Sequence, residues 1–224
     1  MLGTLPAMGS IDRDTFELFA LLIPIILASM VLHEIAHGVA SWRLGDPTAK
    51  MMGRLSPNPI RHLDPLGTAM FAITWFGSGG ALMFGWAKPV QVQPRFFNHP
   101  QRGMALVALA GPMVNFALAL PFAALFVYGE RLGFSGLVMT IIGYAFFINV
   151  LLGVFNLFPI PPLDGSRIVG AAMPREMYER WSSLDRFGFL ILLIIFFVFR
   201  GPFFEILGTI TQTIVRFMVT IVGG

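Results

Sequence analysis

Long apolar runs separated by short basic loops set the pattern of this 224-residue chain. Five runs are long or apolar enough to read as membrane-spanning helices, at about 16–43, 104–128, 137–159, 186–199 and 203–222. A crossing needs about 20 mostly apolar residues. The run at 186–199 falls short of that and suits a tilted or partly inserted helix. A sixth stretch, TAMFAITWFGSGGALMFGW at 68–86, is interrupted by GSGG and reads as a re-entrant or interfacial segment. The loops at 44–65 and 85–100 leave room for short β-strands, and KPVQVQ at 88–93 alternates apolar and polar as an extended edge does. The fold class is therefore an all-α polytopic membrane protein of about five spanning helices. We read one domain over 1–224, with a chemical core at about 16–165 and C-terminal helices at about 184–222.

Composition agrees. The chain is 56% hydrophobic and 12% charged, whereas a soluble domain carries about 25% charged residues. A net charge of +3 fits loop orientation signals rather than nucleic-acid binding. Zero cysteines exclude disulfides and thiolate ligands, so a zinc site must use His, Asp or Glu. The first run lacks a basic leader, with Asp12, Arg13, Asp14 and Glu17 of mixed sign, and is expected to persist as a span.

Charge also bears on 68–86. If that stretch does not cross, one side of the membrane receives Arg43, Lys50, Arg54, Arg61, Lys88, Arg95, Arg102, Arg167, Arg175, Arg180 and Arg186. The other side receives Arg13, Arg131 and Arg200. That asymmetry is a positive-inside signal, and it vanishes if 68–86 crosses.

The chemistry lies in the first run, which spells HEIAH at His33, Glu34 and His37. Residues four apart share one face of a helix, so both imidazoles can reach a single ion. Glu34 stands where a carboxylate can take a proton from a water activated by the metal. Ionisable groups in such a segment are costly unless they face a protein interior and act there. A third ligand is needed, and Asp164 in NLFPIPPLDG at 156–165 is the best candidate. Three prolines stop the preceding helix and leave a rigid turn. The plain alternative is a solvated loop acid. For Asp164 to share a site with the histidines, the helices before them must run parallel, which again requires that 68–86 not cross.

These motifs, HEIAHG at 33–38, AGPMVN at 110–115 and NLFPIPPLDG at 156–165, resemble the site-2 protease family of intramembrane zinc metalloproteases over nearly the whole chain. GWAKPVQV at 85–92 also looks like the compact members, with Gln91 standing where proline is expected. The resemblance implies that His33, His37 and Asp164 hold one Zn2+ and that Glu34 is the general base. It implies that Asn156 donates to the oxyanion or holds the scissile peptide, and that Asn115 helps orient substrate or site. The implied activity is regulated intramembrane proteolysis, the cleavage of transmembrane segments of protein substrates within the bilayer. The site would lie toward the cytosolic side of the plasma membrane. The family's PDZ and CBS modules have no counterpart in these residues.

Two other classes compete. A catalytically silent relative would bind membrane helices without cutting them, but every catalytic position is intact. A metal or proton transporter would carry ions on the same His and Asp, but the internal repeat common in transporters is missing. Elsewhere, His62 and His99 read as loop residues and Asp64 as a turn or cap. Pro24, Pro112 and Pro121 read as tolerated kinks. Trp75, Trp86, Trp181 and the Phe-rich 196–204 read as lipid contacts and interface anchors, and Arg216 as a snorkelling cation.

Overall fold

Apolar runs with few breakers become long helices, because a chain in hydrocarbon must satisfy its own backbone hydrogen bonds. A computed structural model describes residues 13–77, 85 and 87–223. Its helices are α1 (Arg13–Arg43), α2 (Thr48–Met51), α3 (Pro65–Gly77), α4 (Pro100–Tyr128), α5 (Gly136–Asn156), α6 (Asp164–Gly170), α7 (Arg175–Ser182), α8 (Gly188–Phe197) and α9 (Arg200–Ile221). Proline opens α3 and α4, where its missing N–H costs nothing. Asp64 caps α3 by accepting the Gly67 N–H at 2.8 Å. Pro24, Pro112 and Pro121 lie inside their helices without ending them.

Among the described residues, four helices are long and apolar enough to cross a membrane: Leu21–Arg43, α4, α5 and α9. Side-chain contacts give their directions. His33 meets Asn115 while His37 meets the Val107 carbonyl, so α1 and α4 are antiparallel. A short turn joins α4 to α5, and α1 and α5 therefore run in the same direction. Tyr128, at the end of α4, donates to the Val222 carbonyl just past α9 at 2.8 Å, so α9 runs with α4.

Two consequences follow for the spans. The segment between α1 and α4 leaves and returns on one side of the bundle. Its helix α3 has 13 residues, about 20 Å at 1.5 Å per residue, short of a ~30 Å core. The segment as a whole thus makes no net crossing; residues 78–84 and 86 of the 68–86 stretch lie outside the described residues. The same logic corrects the fifth span expected at 186–199. Its helix α8 has 10 residues, about 15 Å, and α5 ends on the side where α9 begins. The helical run breaks at Val198 and Phe199, and Arg200 opens α9. Arg200 therefore joins the basic side, which leaves Arg13 and Arg131 opposite and strengthens the charge asymmetry.

The short β-strands expected at 44–65 and 85–100 do not form among the described residues. One isolated antiparallel bridge pairs Leu63 with Ala87, and 88–93 runs extended beside α1. Prolines at 57, 59, 89 and 94 remove ladder donors. The N–H groups of Val90 and Gln93 go instead to the carboxylates of Glu34 and Asp46, at 2.9 and 2.7 Å.

The main core lies between α4, α5 and α9, with Ala119, Ala123, Phe146, Val150, Val154, Phe203, Leu207 and Met218 buried together. Two aromatic expectations change as a result. Phe203 is a core residue packed against Phe155, Phe158 and Phe196, while Phe197 and Phe199 are exposed. Trp75 is buried and stacked on Phe71 rather than facing lipid. Trp181 donates to the Ser166 carbonyl at 2.8 Å, and Trp86 lies outside the described residues.

Candidate metal centre

One turn of α1 separates His33 from His37, and both side chains are buried. Axially they lie about 15 and 9 Å before the end of α1 at Arg43, inside the apolar part of that span. Glycine opposite them makes room. A Cβ built on Gly111 would stand 2.6 Å from His33 Cε1 and Nε2 and from His37 Cε1. Both imidazoles therefore occupy the space that a larger residue of α4 would fill.

Asp164 arrives from the far end of α5. The chain turns through 157–163 and restarts as α6 with Asp164 as its first residue. A Cβ on Gly165 would lie 2.1 Å from the Leu157 carbonyl oxygen and 2.4 Å from that of Phe158, so only glycine lets this turn fold back so tightly.

The three groups converge. His33 Nε2 and His37 Nε2 are 3.0 Å apart, and each lies 3.2 Å from Asp164 Oδ2. These edges are close to the ~3.3 Å edge of a tetrahedron with zinc–ligand bonds of about 2.0–2.1 Å. Proton positions make the same point. His37 Nδ1 lies 2.7 Å from the Val107 carbonyl, which can only accept, so the ring proton sits on Nδ1. His33 Nδ1 donates to Asn115 Oδ1 at 2.6 Å. Both rings therefore turn Nε2 toward a carboxylate oxygen that is buried and takes no hydrogen bond. Two imidazole nitrogens and a carboxylate oxygen at these spacings can share one cation, and the donor set suits zinc. Bonds from Nδ1 to a carbonyl or amide oxygen, as to Val107 and Asn115 here, are those that orient metal-binding histidines in general.

A cavity of about 470 Å³ opens on these donors, within the usual range for small-molecule and peptide sites. Its wall includes Glu34, Asn156, Arg167, Pro89, Val90 and Val92. Glu34 Oε2 accepts the Val90 N–H, which links the first run to the extended 88–93 segment. Asn156 donates one amide hydrogen to the Leu152 carbonyl at 2.9 Å. Arg167, one turn beyond Asp164, pairs with Asp185 at 2.8 Å. His62 lies apart, with Nε2 on the Ser56 carbonyl at 2.8 Å.

Just outside the span, Asp46 is fully buried. Its carboxylate accepts from Ser41 Oγ and from the N–H groups of Thr48 and Gln93. Burial works against its charge, but these donors, Gln93 foremost, hold the carboxyl below its ordinary range. Asp46 thus ties the cavity-lining segment to the end of α1.

The structure brings His33, His37 and Asp164 into one cluster, places Glu34 and Asn156 on the same cavity, and bonds Asn115 to His33. Sequence reading missed Asn149, a buried amide on α5 within reach of Asn115. A polar residue inside GLVMTIIGYAFFINVLLGVF was the available signal.

Fold and site together define a multi-pass membrane protein with the donor set of a metallohydrolase. The chain matches the model of peptidase family M50 over residues 21–134 and 130–199. It is 35% identical to the candidate zinc metalloprotease YwhC of Bacillus subtilis strain 168, covering 84% of each chain. It is 32% identical to the candidate zinc metalloprotease Rip2 of Mycobacterium tuberculosis H37Rv, covering 84% of this chain and 71% of that one. No solved structure matches it. The chain belongs to peptidase family M50, the site-2 protease family of intramembrane zinc metalloproteases. Its activity is zinc-dependent endopeptidase cleavage in the membrane.

Proposed function

We propose that His33, His37 and Asp164 hold one zinc ion and that Glu34 is the general base for hydrolysis of peptide bonds in the transmembrane segments of protein substrates. One observation carries the ligand assignment: two Nε2 atoms and a carboxylate oxygen meet within 3.2 Å, with both Nδ1 atoms engaged elsewhere.

Zinc in such a site lowers the pKa of a water and polarises a peptide carbonyl. The rest falls to the chain. Glu34, on the cavity wall, takes the proton from the attacking water and passes it to the leaving amide nitrogen. Its bond to the Val90 N–H fixes the carboxylate toward the cavity. Asn156 has one amide hydrogen left after bonding Leu152, and it donates that hydrogen to the developing oxyanion or to the scissile peptide. Such a donor contributes about 3 kcal/mol. Asn115 acts on the site rather than on substrate, by holding the His33 ring.

A helical substrate has its carbonyls in internal hydrogen bonds and must unwind before it can be cut. Gly or Pro in the substrate span lowers that cost. The extended 88–93 segment, on the cavity wall, offers backbone groups for the unwound strand. The charge asymmetry supports a cavity mouth on the cytosolic side of the plasma membrane, and the reaction fits regulated intramembrane proteolysis. The whole chain, 1–224, serves as a single protease domain.

The test is cleavage of a panel of tagged single-span substrates by purified protein in liposomes, with fragments mapped by mass spectrometry. Wild type, Glu34→Gln and a chelated sample run side by side. Cuts inside the span, lost in both controls, are the expected result. Cleavage that persists in Glu34→Gln would overturn the assignment of the base.

A further inference from the structure

An amide side chain such as Asn115 presents two nearly equivalent faces, and which one meets His33 decides where the histidine proton sits. With Oδ1 toward His33, the ring proton is drawn to Nδ1 and Nε2 is free to bind an ion. With Nδ2 toward His33, Nδ1 must accept, and the proton moves to Nε2, on the ligand side. Nothing in Asn115 itself chooses between them.

Asn149 makes the choice. This residue is fully buried on α5, in a span that is otherwise almost wholly apolar. Its Nδ2 donates to the Ala145 carbonyl at 2.9 Å. A carbonyl can only accept, so the orientation of the Asn149 amide is settled, with Oδ1 facing α4. That oxygen lies 3.4 Å from Asn115 Nδ2, a long hydrogen bond but an unambiguous one in polarity. Turning Asn115 over would set two amide oxygens against each other in a dry interior, where an unmatched polar pair is costly. The polarity of one α5 carbonyl thus passes through Asn149 and Asn115 to His33, across three helices.

We infer that Asn149 is a positioning residue for the metal centre, selecting through Asn115 the His33 tautomer that leaves Nε2 free for a metal ion. The inference rests on the zinc-site reading above. It also accounts for a buried amide whose Oδ1 accepts from Asn115.

The test uses the full chain in detergent and reads zinc affinity by competition with a chromophoric chelator. Asn149→Leu keeps the branched shape and removes the acceptor; we expect zinc binding about 10-fold weaker, in the range seen when a hydrogen-bond partner of a metal ligand is lost. Asn149→Asp is the rescue. A carboxyl in this apolar setting stays neutral, so it can donate to Ala145 and accept from Asn115, and affinity stays within about twofold of wild type. In an Asn115→Leu background, Asn149→Leu has no further effect, because the path to His33 is already cut. If Asn149→Leu does not fold, Asn149→Ala is read in its place with the same expectation.

Wild-type affinity in the acceptor-free variant overturns the inference. So does an equal loss in the Asn115→Leu background, or failure of Asn149→Asp to restore binding. Absence of stoichiometric zinc uptake by the wild type would instead overturn the metal-site reading itself, so the two failures are distinguishable.

Discussion

Gly111→Ala is the sharpest probe of how the metal centre is built. The added Cβ would stand 2.6 Å from three atoms of the His33 and His37 rings, whereas ordinary contact begins at 3.4 Å. At least about 0.8 Å must be recovered, either by moving the imidazoles or by spreading α1 from α4. Metal–ligand distances tolerate about 0.2 Å, so either route takes the donors out of range. Overpacking of this kind costs about 1–3 kcal/mol. Taken from the metal site, that is roughly 5- to 140-fold weaker zinc binding at 1.4 kcal/mol per decade. Helix propensity gains up to about 1 kcal/mol from the same change, so the fold is retained. Gly208→Ala, on α9 with nothing within 4 Å of its Cβ, is the matched control and keeps wild-type affinity. The assay is chelator competition on purified protein, with thermal unfolding of the metal-free forms alongside. Gly111→Ala with wild-type zinc affinity would refute the argument that glycine there makes room for the ligands.

Other expectations are as direct. Glu34→Gln takes up zinc as wild type does but loses about 10²- to 10⁴-fold in cleavage rate, read by single-turnover proteolysis of a cleavable span. Gly165→Ala collides with backbone oxygens rather than side chains, so it lowers the thermal midpoint and abolishes zinc uptake; a variant that melts and binds like wild type would contradict this. Asp46→Asn loosens the 88–93 segment, with amide exchange there about 10-fold faster at neutral pH by mass spectrometry, the loss of one charge-assisted bond. Because the Asp46 carboxyl is lowered in the fold, its contribution is complete above the ordinary carboxylate value of 3.8. It fades as pH falls through the lowered value, so wild type and Asp46→Asn converge only in strong acid.

Much of this protein is legible along the chain because the relevant physics is local. Spans announce themselves by apolar length, and HEIAH places two imidazoles on one helical face by period alone. The requirement that α1 and α5 run in parallel follows from needing Asp164 beside those imidazoles. What lies outside local pattern was misread or unseen. The apolar run at 186–199 has the composition of a span, but whether it crosses depends on which side α9 starts. That is settled by Tyr128 meeting Val222, residues far apart in sequence. The alternation at 88–93 suggests a strand, yet a strand needs a partner, and the Val90 and Gln93 N–H groups are taken by Glu34 of α1 and Asp46 just beyond it. Trp75 has the look of an interface anchor until its neighbours bury it.

The ligand types, the order of the spans and the chemistry they imply were thus properties of the sequence alone. Tertiary structure decided the count of crossings, the need for glycine at 111 and 165, and the chain of amides behind His33. Each of these depends on which side chains meet across helices, and hydrophobic period carries no information about partners.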